Sequence, residues 1–558
     1  MAAVELDVLV IGGGVVGAGC ALDAVSRGLD VGLVEARDLA SGTSSRSSKL
    51  IHGGLRYLEM LDFALVKEAL TERGLLLDRL APHLVHPVPF LYPLTRRVWE
   101  RPYVGAGMIL YDTMGVVGGT TRGVPRHHHL SRKGALARFP SLRPDALVGG
   151  IQYWDGQVDD ARHTMMVART AAGLGAKVAS RTEVTSLDRV GPRVVGAHVV
   201  DLESGTEYQV RAKVVVNATG VWTDETQRLA TDSTELQVRA SKGVHLLVPR
   251  DRMDGEVGLI LRTETSVLFV IPWGRHWIIG TTDTDWDLDL AHPAASKADI
   301  DYLLERVNQV LIRPLTHRDI EGVYAGLRPL LSGESEATSK LSREHQVSTP
   351  VPGLVVIAGG KYTTYRVMAA DALDAAAKGL GGQVPASTTD RLPLLGAEGY
   401  HALVNGKDRL ARTSGLAVAT IEHLLGRYGS LTLDLLALVA DRPELGEPLI
   451  GAEEYLAAEV VYAAAAEGAL HLEDILTRRT RISIETSDRG VKAARAAAEL
   501  VAPTLGWDSV RLDGEVDHYL ARVAAERESQ ETADDRSADA TRLGAPDIVA
   551  LRPLGPAV

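Results

Sequence analysis

The chain has 558 residues, 45% of them hydrophobic and 24% charged, an ordinary balance for a folded protein with room for about two to four domains. Its formal net charge of −12 argues against nucleic acid as a partner. A single cysteine, Cys20, excludes an intramolecular disulfide and a cysteine-based metal site, and fits a reducing cytosol.

The opening segment, MAAVELDVLVIGGG, has no basic stretch before its apolar run, and the run ends in glycines. It reads as a strand and not as a signal peptide. No stretch reaches the ~18 apolar residues of a spanning helix, so membrane contact is expected only at the surface. Residues 4–35 give a strand, an Ala/Leu-spaced helix and a second apolar strand. Gly12, Gly14 and Gly17 spell GxGxxG at the first turn, and Glu35 closes the second strand. Such glycines permit a tight turn and close backbone approach, the helix N-terminus holds a pyrophosphate, and the acidic residue binds a ribose hydroxyl.

A helix is predicted at about 62–80, after a Ser-rich loop. From 86 to about 154, Pro, Arg and aromatic residues break the pattern and suggest an insertion from a second domain. A helix at 160–175 precedes alternating strands through 178–216. Residues 237–290 alternate as an antiparallel sheet does. The chain then re-enters the first domain at LVVIAGG and runs into a helix from about Thr363 to Leu380. GLGGQVPAST supplies a linker, and the region after about 390 is helical and Ala-rich. His127–His129 and the run Asp283, Asp285, Asp287, Asp289 resemble metal sites only superficially. The histidines have no evident partner ligands, and a calcium loop from Asp283 would place Leu288 and Ala294 where glycine and glutamate are required. No metal is expected.

Four segments, Val8–Gly17, Ser41–Leu58 (SGTSSRSSKLIHGGLRYL), Val214–Trp222 (VVVNATGVW) and Gly359–Arg366 (GGKYTTYR), together with YAGLRPL, resemble the FAD-dependent glycerol-3-phosphate dehydrogenases of the respiratory, aerobic type. The similarity spans roughly residues 5–520. It implies an α/β fold: a Rossmann-like, glutathione-reductase-like FAD-binding domain (1–85, 155–225, 350–385), an antiparallel-sheet substrate domain (86–154, 226–349) and an all-helical C-terminal domain (390–520). Residues 527–558 are expected to form a charged, flexible tail.

The resemblance also implies an FAD site. Its first contacts are Gly12, Gly14, Val15, Val16, Gly17, Glu35 and Ala36, followed by the Ser-rich loop: the hydroxyls of Thr43, Ser44, Ser45 and Ser47, the charge of Lys49, and Leu50, His52, Gly53, Gly54 and Leu55. Val184, Ala218, Thr219, Gly220 and Trp222 follow, then Gly359, Gly360, Lys361, Tyr362 and Thr363 at a helix start. The partial positive charge of that helix start suits the flavin edge on which negative charge develops. Arg56, Tyr57, Arg328, Arg343 and Lys361 are placed around glycerol 3-phosphate, whose phosphate matches a guanidinium fork. The implied reaction is hydride transfer from C2 to flavin N5, giving dihydroxyacetone phosphate. His245 is a candidate proton acceptor, with Arg328 and Lys361 as further catalytic candidates, and the sequence leaves this step open.

The family passes electrons to membrane quinone, which implies a cytoplasmic protein held peripherally at the inner face of the cell membrane. Residues 91–115 combine Arg96, Arg97 and Arg101 with Tyr92, Trp99 and Tyr103, a mixture suited either to an anionic membrane surface or to an insertion packed on its own core. A homodimer is implied, and the small apolar faces of the Ala-rich helices are available to pack on each other or on a partner. Readings kept open are a glycerol-3-phosphate oxidase reducing oxygen, an amine or amino-acid oxidase of the same superfamily, and a non-catalytic FAD-binding scaffold.

Overall fold

The computed structural model describes residues 1, 4–54, 62–117, 124–231, 235–263, 267–332 and 344–551. The first apolar strand, Leu6–Ile11, lies at the centre of a sheet and pairs in parallel with Val31–Val34 on one side and Glu207–Asn217 on the other. Lys177–Ala179 extends the sheet beyond Val31–Val34, and Leu354–Gly359 extends it beyond Glu207–Asn217, both in parallel. Strands covered on both faces are apolar throughout, and Leu6, Val8, Leu9 and Val10 are fully buried. Helices Val15–Ser26, Asp160–Gly173 and Tyr365–Leu380 supply apolar side chains to one large core against this sheet.

The second sheet has ten strands among the described residues. Val238–Pro249, His276–Gly280, Val267–Trp273 and Gly258–Arg262 run antiparallel in that order, then Gly258–Arg262 joins Val85–Leu94 in parallel, and Val85–Leu94 pairs with Gly149–Val158. Gly322–Leu331 pairs along nearly the whole of Val238–Pro249. Segments 85–158 and 238–331 supply every described strand of this sheet except Leu50–Ile51.

Three boundaries differ from expectation. Leu50–Ile51 belongs to the second sheet, because it pairs with Gln157 and Gly156. The insertion expected to end near 154 continues as strand Gly149–Val158, so the chain returns at helix Asp160–Gly173. His345–Val351 belongs to the first sheet, because the tight turn at Pro352–Gly353 folds it back onto Leu354–Gly359.

The C-terminal region is helical apart from one short hairpin, Pro448–Leu449 with Ala452–Leu456. Ala493, Ala494, Ala497 and Ala498 of helix Val491–Leu505 pack inside its core against Val460, Leu472 and Tyr519. These small faces pack on one another and give no separate support to a dimer. The expected flexible tail is folded through 551. Helix Ser509–Ser529 is followed by Asp535–Arg542, with Asp535 2.6 Å from the buried Lys242 and Asp547 2.8 Å from Arg37. Acidic residues that suggest a solvated tail in sequence are instead the counter-charges of distant cations.

Buried ion pairs join the helical region to the first sheet. Arg479 forms a two-bond fork on Asp38, both contacts 2.7 Å, and Arg478 shares the same carboxylate. Arg162 forks onto Glu467 at 3.0 and 2.9 Å. Removing one member of a buried pair strands the other. Asp38→Ala is therefore expected to lower the unfolding free energy by about 3–5 kcal/mol, measured by chemical denaturation of the cofactor-loaded protein; a loss within experimental error would show the pairs to be energetically idle.

Candidate active site

A cavity of about 570 Å³ lies between the two sheets. Its wall contains Gly12, Gly14, Val15, Val16, Glu35, Ala36, Thr43, Ser44, Ser47, Leu50, His52 and Gly54 from the first part of the chain. Val184, Ala218, Thr219, Gly220, Trp222, His245, Arg328, Gly359, Gly360, Lys361, Tyr362 and Thr363 complete the sequence-derived set. Leu55, Arg56, Tyr57 and Arg343 lie outside the described residues. Gly17, Ser45, Lys49 and Gly53 stand behind the wall.

The glycine turn is compact for a steric reason. Gly12 has φ of 110°, and a Cβ there would come within 2.7 Å of the Ala218 carbonyl oxygen. A Cβ on Gly17 would sit 1.9 Å from the Gly12 carbonyl, so Gly17 acts by packing rather than by contact with the cavity. Glu35 accepts the Gly13 N–H at 2.6 Å and the Arg37 N–H at 2.8 Å, which fixes its carboxylate in the cavity wall. Ser44 Oγ accepts the Val15 N–H at 2.9 Å, tying the Ser-rich loop to the start of the first helix.

Lys49 departs from its expected role. Its ammonium is fully buried, 2.9 Å from Asp160, donates to the Ser45 carbonyl and lies 4.8 Å from the Tyr324 ring centre. Its charge is spent inside the protein and does not face the cavity. Ser45 is consumed locally, its Oγ donating to the Gly42 carbonyl. The Gly53 N–H is held by the Tyr111 hydroxyl at 2.9 Å, so Gly53 anchors the loop from behind.

Asp160 organises this wall, and nothing in the motifs pointed to it. It receives the Ser47 N–H at 2.8 Å and the Ser47 hydroxyl at 2.7 Å as well as Lys49 and Arg481. Its own carbonyl accepts the Tyr362 hydroxyl at 2.7 Å. Neighbouring Asp159 is held well below the usual carboxylate range by Arg481, Arg427 and Lys49, in spite of burial.

His245 lies on Val238–Pro249, opposite Tyr324 of Gly322–Leu331. The two rings stack with centres 4.7 Å apart and planes 10° from parallel. Nε2 meets Ser48 Oγ at 2.8 Å, while Nδ1 has no hydrogen-bond partner among the described residues. Burial first, then Arg328 and Lys49, push the imidazole well below its usual 6.5, so it is neutral near pH 7. Arg328 is held by Thr281 Oγ1 and the Thr282 carbonyl, both at 3.1 Å, and lies 3.5 Å from Asp283. The site thus sets a neutral base and a fixed guanidinium on adjacent strands facing one cavity.

Ser48, Tyr324 and Asp283 are site residues that the motif reading passed over. A signal for Tyr324 was present: it stands four residues before Arg328, and alternate residues of a strand share a face. Ser48 sits within the quoted serine run, but only the partner strand reveals that it holds His245.

The FAD dependent oxidoreductase family model matches residues 7–372, and the model for the C-terminal domain of alpha-glycerophosphate oxidase matches 387–512. The chain is 62% identical over 543 residues to glycerol-3-phosphate dehydrogenase 2 of Mycobacterium tuberculosis, covering 97% of this chain and 92% of that one. It is 39% identical over 529 residues to the human mitochondrial glycerol-3-phosphate dehydrogenase, covering 91% and 71%. Among solved structures, a glycerol-3-phosphate dehydrogenase from Bacillus halodurans complexed with FAD superposes with a TM-score of 0.77 at 30% identity, covering 94% of this chain and 95% of that chain. FAD is therefore the cofactor, and the glycine cradle and the fixed Glu35 in the cavity wall fit it. Gly17→Ala is expected to yield folded protein without flavin, because its Cβ displaces the Gly12 carbonyl. The ratio of flavin to protein absorbance checks this, and a parental ratio would sink the steric account.

Proposed function

The chain belongs to the FAD-dependent oxidoreductases, among the glycerol-3-phosphate dehydrogenases, and on that premise we propose that it oxidises sn-glycerol 3-phosphate to dihydroxyacetone phosphate. The observation that carries this reading is the convergence of the neutral His245 imidazole with the Arg328 guanidinium and Lys361 on the cavity beside the glycine turn. When bound, FAD supplies the acceptor for the hydride that leaves C2. His245 accepts the proton of the C2 hydroxyl, and stacking on Tyr324 with the Ser48 contact fixes its ring plane. Arg328 and Lys361 bind the phosphate, and Arg56, Tyr57 and Arg343 are proposed to join them. A bound dianion offsets the positive field that lowers the imidazole, so substrate itself raises the basicity of His245.

We further propose membrane quinone as the electron acceptor, with the protein held at the inner face of the cell membrane. Support comes from helix Glu100–Val117, which buries Val104, Met108 and Tyr111 yet exposes Tyr103 at 53% and Ile109 at 58%. Val98 and Trp99 before it are also exposed, beside Arg96, Arg97, Arg101 and Arg132. Exposed aromatic and aliphatic groups ringed by arginine suit an anionic interface. Among the described residues no helix is long and apolar enough to cross a membrane. The match of residues 387–512 to an oxidase C-terminal domain favours a second reading, transfer to oxygen. Peroxide yield against quinone-analogue reduction separates the two.

Anaerobic titration with glycerol 3-phosphate is expected to bleach the flavin band, while glycerol leaves it unchanged; bleaching by neither removes the substrate assignment. His245→Asn is expected to lower kcat by ~10²–10⁴-fold. Because the folded pKa lies below 6.5, kcat/KM of the parent should hold as pH falls through 6.5 and decline only in stronger acid. A limb centred at 6.5 or above would assign the proton elsewhere. Arg96→Glu/Arg97→Glu/Arg101→Glu is expected to abolish sedimentation with anionic phospholipid vesicles, and unchanged binding would remove this surface from the membrane contact.

A further inference from the structure

A second, smaller cavity of about 70 Å³ lies where the Ser-rich loop, the second sheet and the C-terminal helices meet. Arg46, Arg478, Arg481, Arg522, Arg542 and His292 line it, and Glu526 is the one acidic residue in its wall among the described residues. Most of these guanidinium groups share carboxylates. Arg478 uses Asp38, Glu473 and Asp474, and Arg481 uses Asp159 and Asp160. Arg522 uses Glu473 at 3.3 Å and Glu526 at 2.8 Å. Among the described residues Arg542 reaches one carboxylate, Glu526 at 3.8 Å, and otherwise donates to the Ala545 carbonyl and to His292 Nδ1. Arg46 donates to the Ala291 carbonyl at 3.0 Å and has no carboxylate partner among the described residues. Arg522 is 6% exposed, and its Nη1 has no acceptor there.

Arginines therefore outnumber carboxylates in the cavity wall, and the Arg522 Nη1 donors are left unmatched among the described residues. Buried guanidinium groups without counter-charge are unfavourable, and planar forks of this kind match tetrahedral oxyanions. We propose that this cavity is a binding site for a small tetrahedral oxyanion carrying a phosphate or sulfate group, held by Arg46, Arg522 and Arg542. The crowding is expressed in Arg46 itself, which burial and then the nearby Arg522, Arg542 and Arg478 lower to about 10. The space is small beside the roughly 570 Å³ active-site cavity, which favours inorganic phosphate over an ester. Arg46 lines both cavities, so an anion here also fixes one wall of the active site.

The test uses the FAD-loaded protein in a chloride buffer of constant ionic strength, with phosphate binding read by titration calorimetry and thermal unfolding. Separate arms use inorganic phosphate, sulfate and glycerol 3-phosphate. Inorganic phosphate is expected to bind and raise the unfolding temperature, to do so equally in Arg328→Gln, and to bind roughly tenfold or more weakly in Arg46→Gln and Arg542→Gln. Arg46→Gln should be at least as stable as the parent without phosphate, since it removes a cavity-lining charge that has no carboxylate partner among the described residues, and this keeps the test valid if Arg542→Gln misfolds. A glycerol 3-phosphate response that Arg46→Gln abolishes would name an ester as the source of the same phosphate group. Absence of phosphate binding, or binding lost in Arg328→Gln and retained in Arg46→Gln, would overturn the proposal.

Discussion

Asp160 is fully buried, and its carboxylate receives the Ser47 N–H, the Ser47 hydroxyl, the Lys49 ammonium and the Arg481 guanidinium. A buried charge demands such saturation, and meeting it joins three separate stretches of chain. The Ser-rich loop comes from the N-terminal segment, Asp160 begins a helix of the nucleotide-binding layer, and Arg481 belongs to the C-terminal helices. The Asp160 carbonyl adds a fourth stretch through Tyr362. Lys49 takes φ of 58°, a left-handed conformation that a non-glycine residue holds only when its surroundings insist on it. The shape of the cavity wall therefore follows from where one carboxylate must find its partners.

The same arrangement explains how a protein of net charge −12 presents cations to an anionic substrate. Acidic residues lie at the surface, in buried pairs and in the cavity wall itself, where the cations Arg328 and Lys361 gather beside the neutral His245. Local field and not total charge decides what enters. Burial first, and then the nearby charges of Arg328 and Lys49, keep His245 neutral. The helical region contributes to this chemistry indirectly, since Arg481 pairs with Asp160, which fixes the loop, and itself donates to the Ser45 carbonyl.

Much of this was legible in sequence. The glycine turn, Glu35 and the apolar strands announce the first layer, because each carries a local constraint that a local pattern records. The alternation of 237–290 announces the second sheet. Of the expected residues that the structure describes, most line one cavity, with Gly17, Ser45, Lys49 and Gly53 standing just behind it, while Leu55, Arg56, Tyr57 and Arg343 lie outside the described residues. What escaped was pairing at long range. Lys49 beside Ser47 reads as a cation offered to a ligand until Asp160, more than a hundred residues away, is seen to neutralise it. Asp535 and Asp547 read as solvated charge for the same reason. A pair of complementary charges leaves no periodic trace in either segment.

The strand order has a consequence for biosynthesis. Leu6–Ile11 finds its first neighbour in Val31–Val34, but its other edge waits for Glu207–Asn217, which in turn waits for Leu354–Gly359. At about 5–20 residues per second, the nascent chain carries an apolar, half-paired strand for on the order of ten seconds before its partner emerges from the ribosome. An open strand edge is a template for pairing with other chains. The rate of translation, and the supply of chaperones that cover that edge, therefore govern how much of this protein reaches its folded state in a foreign host.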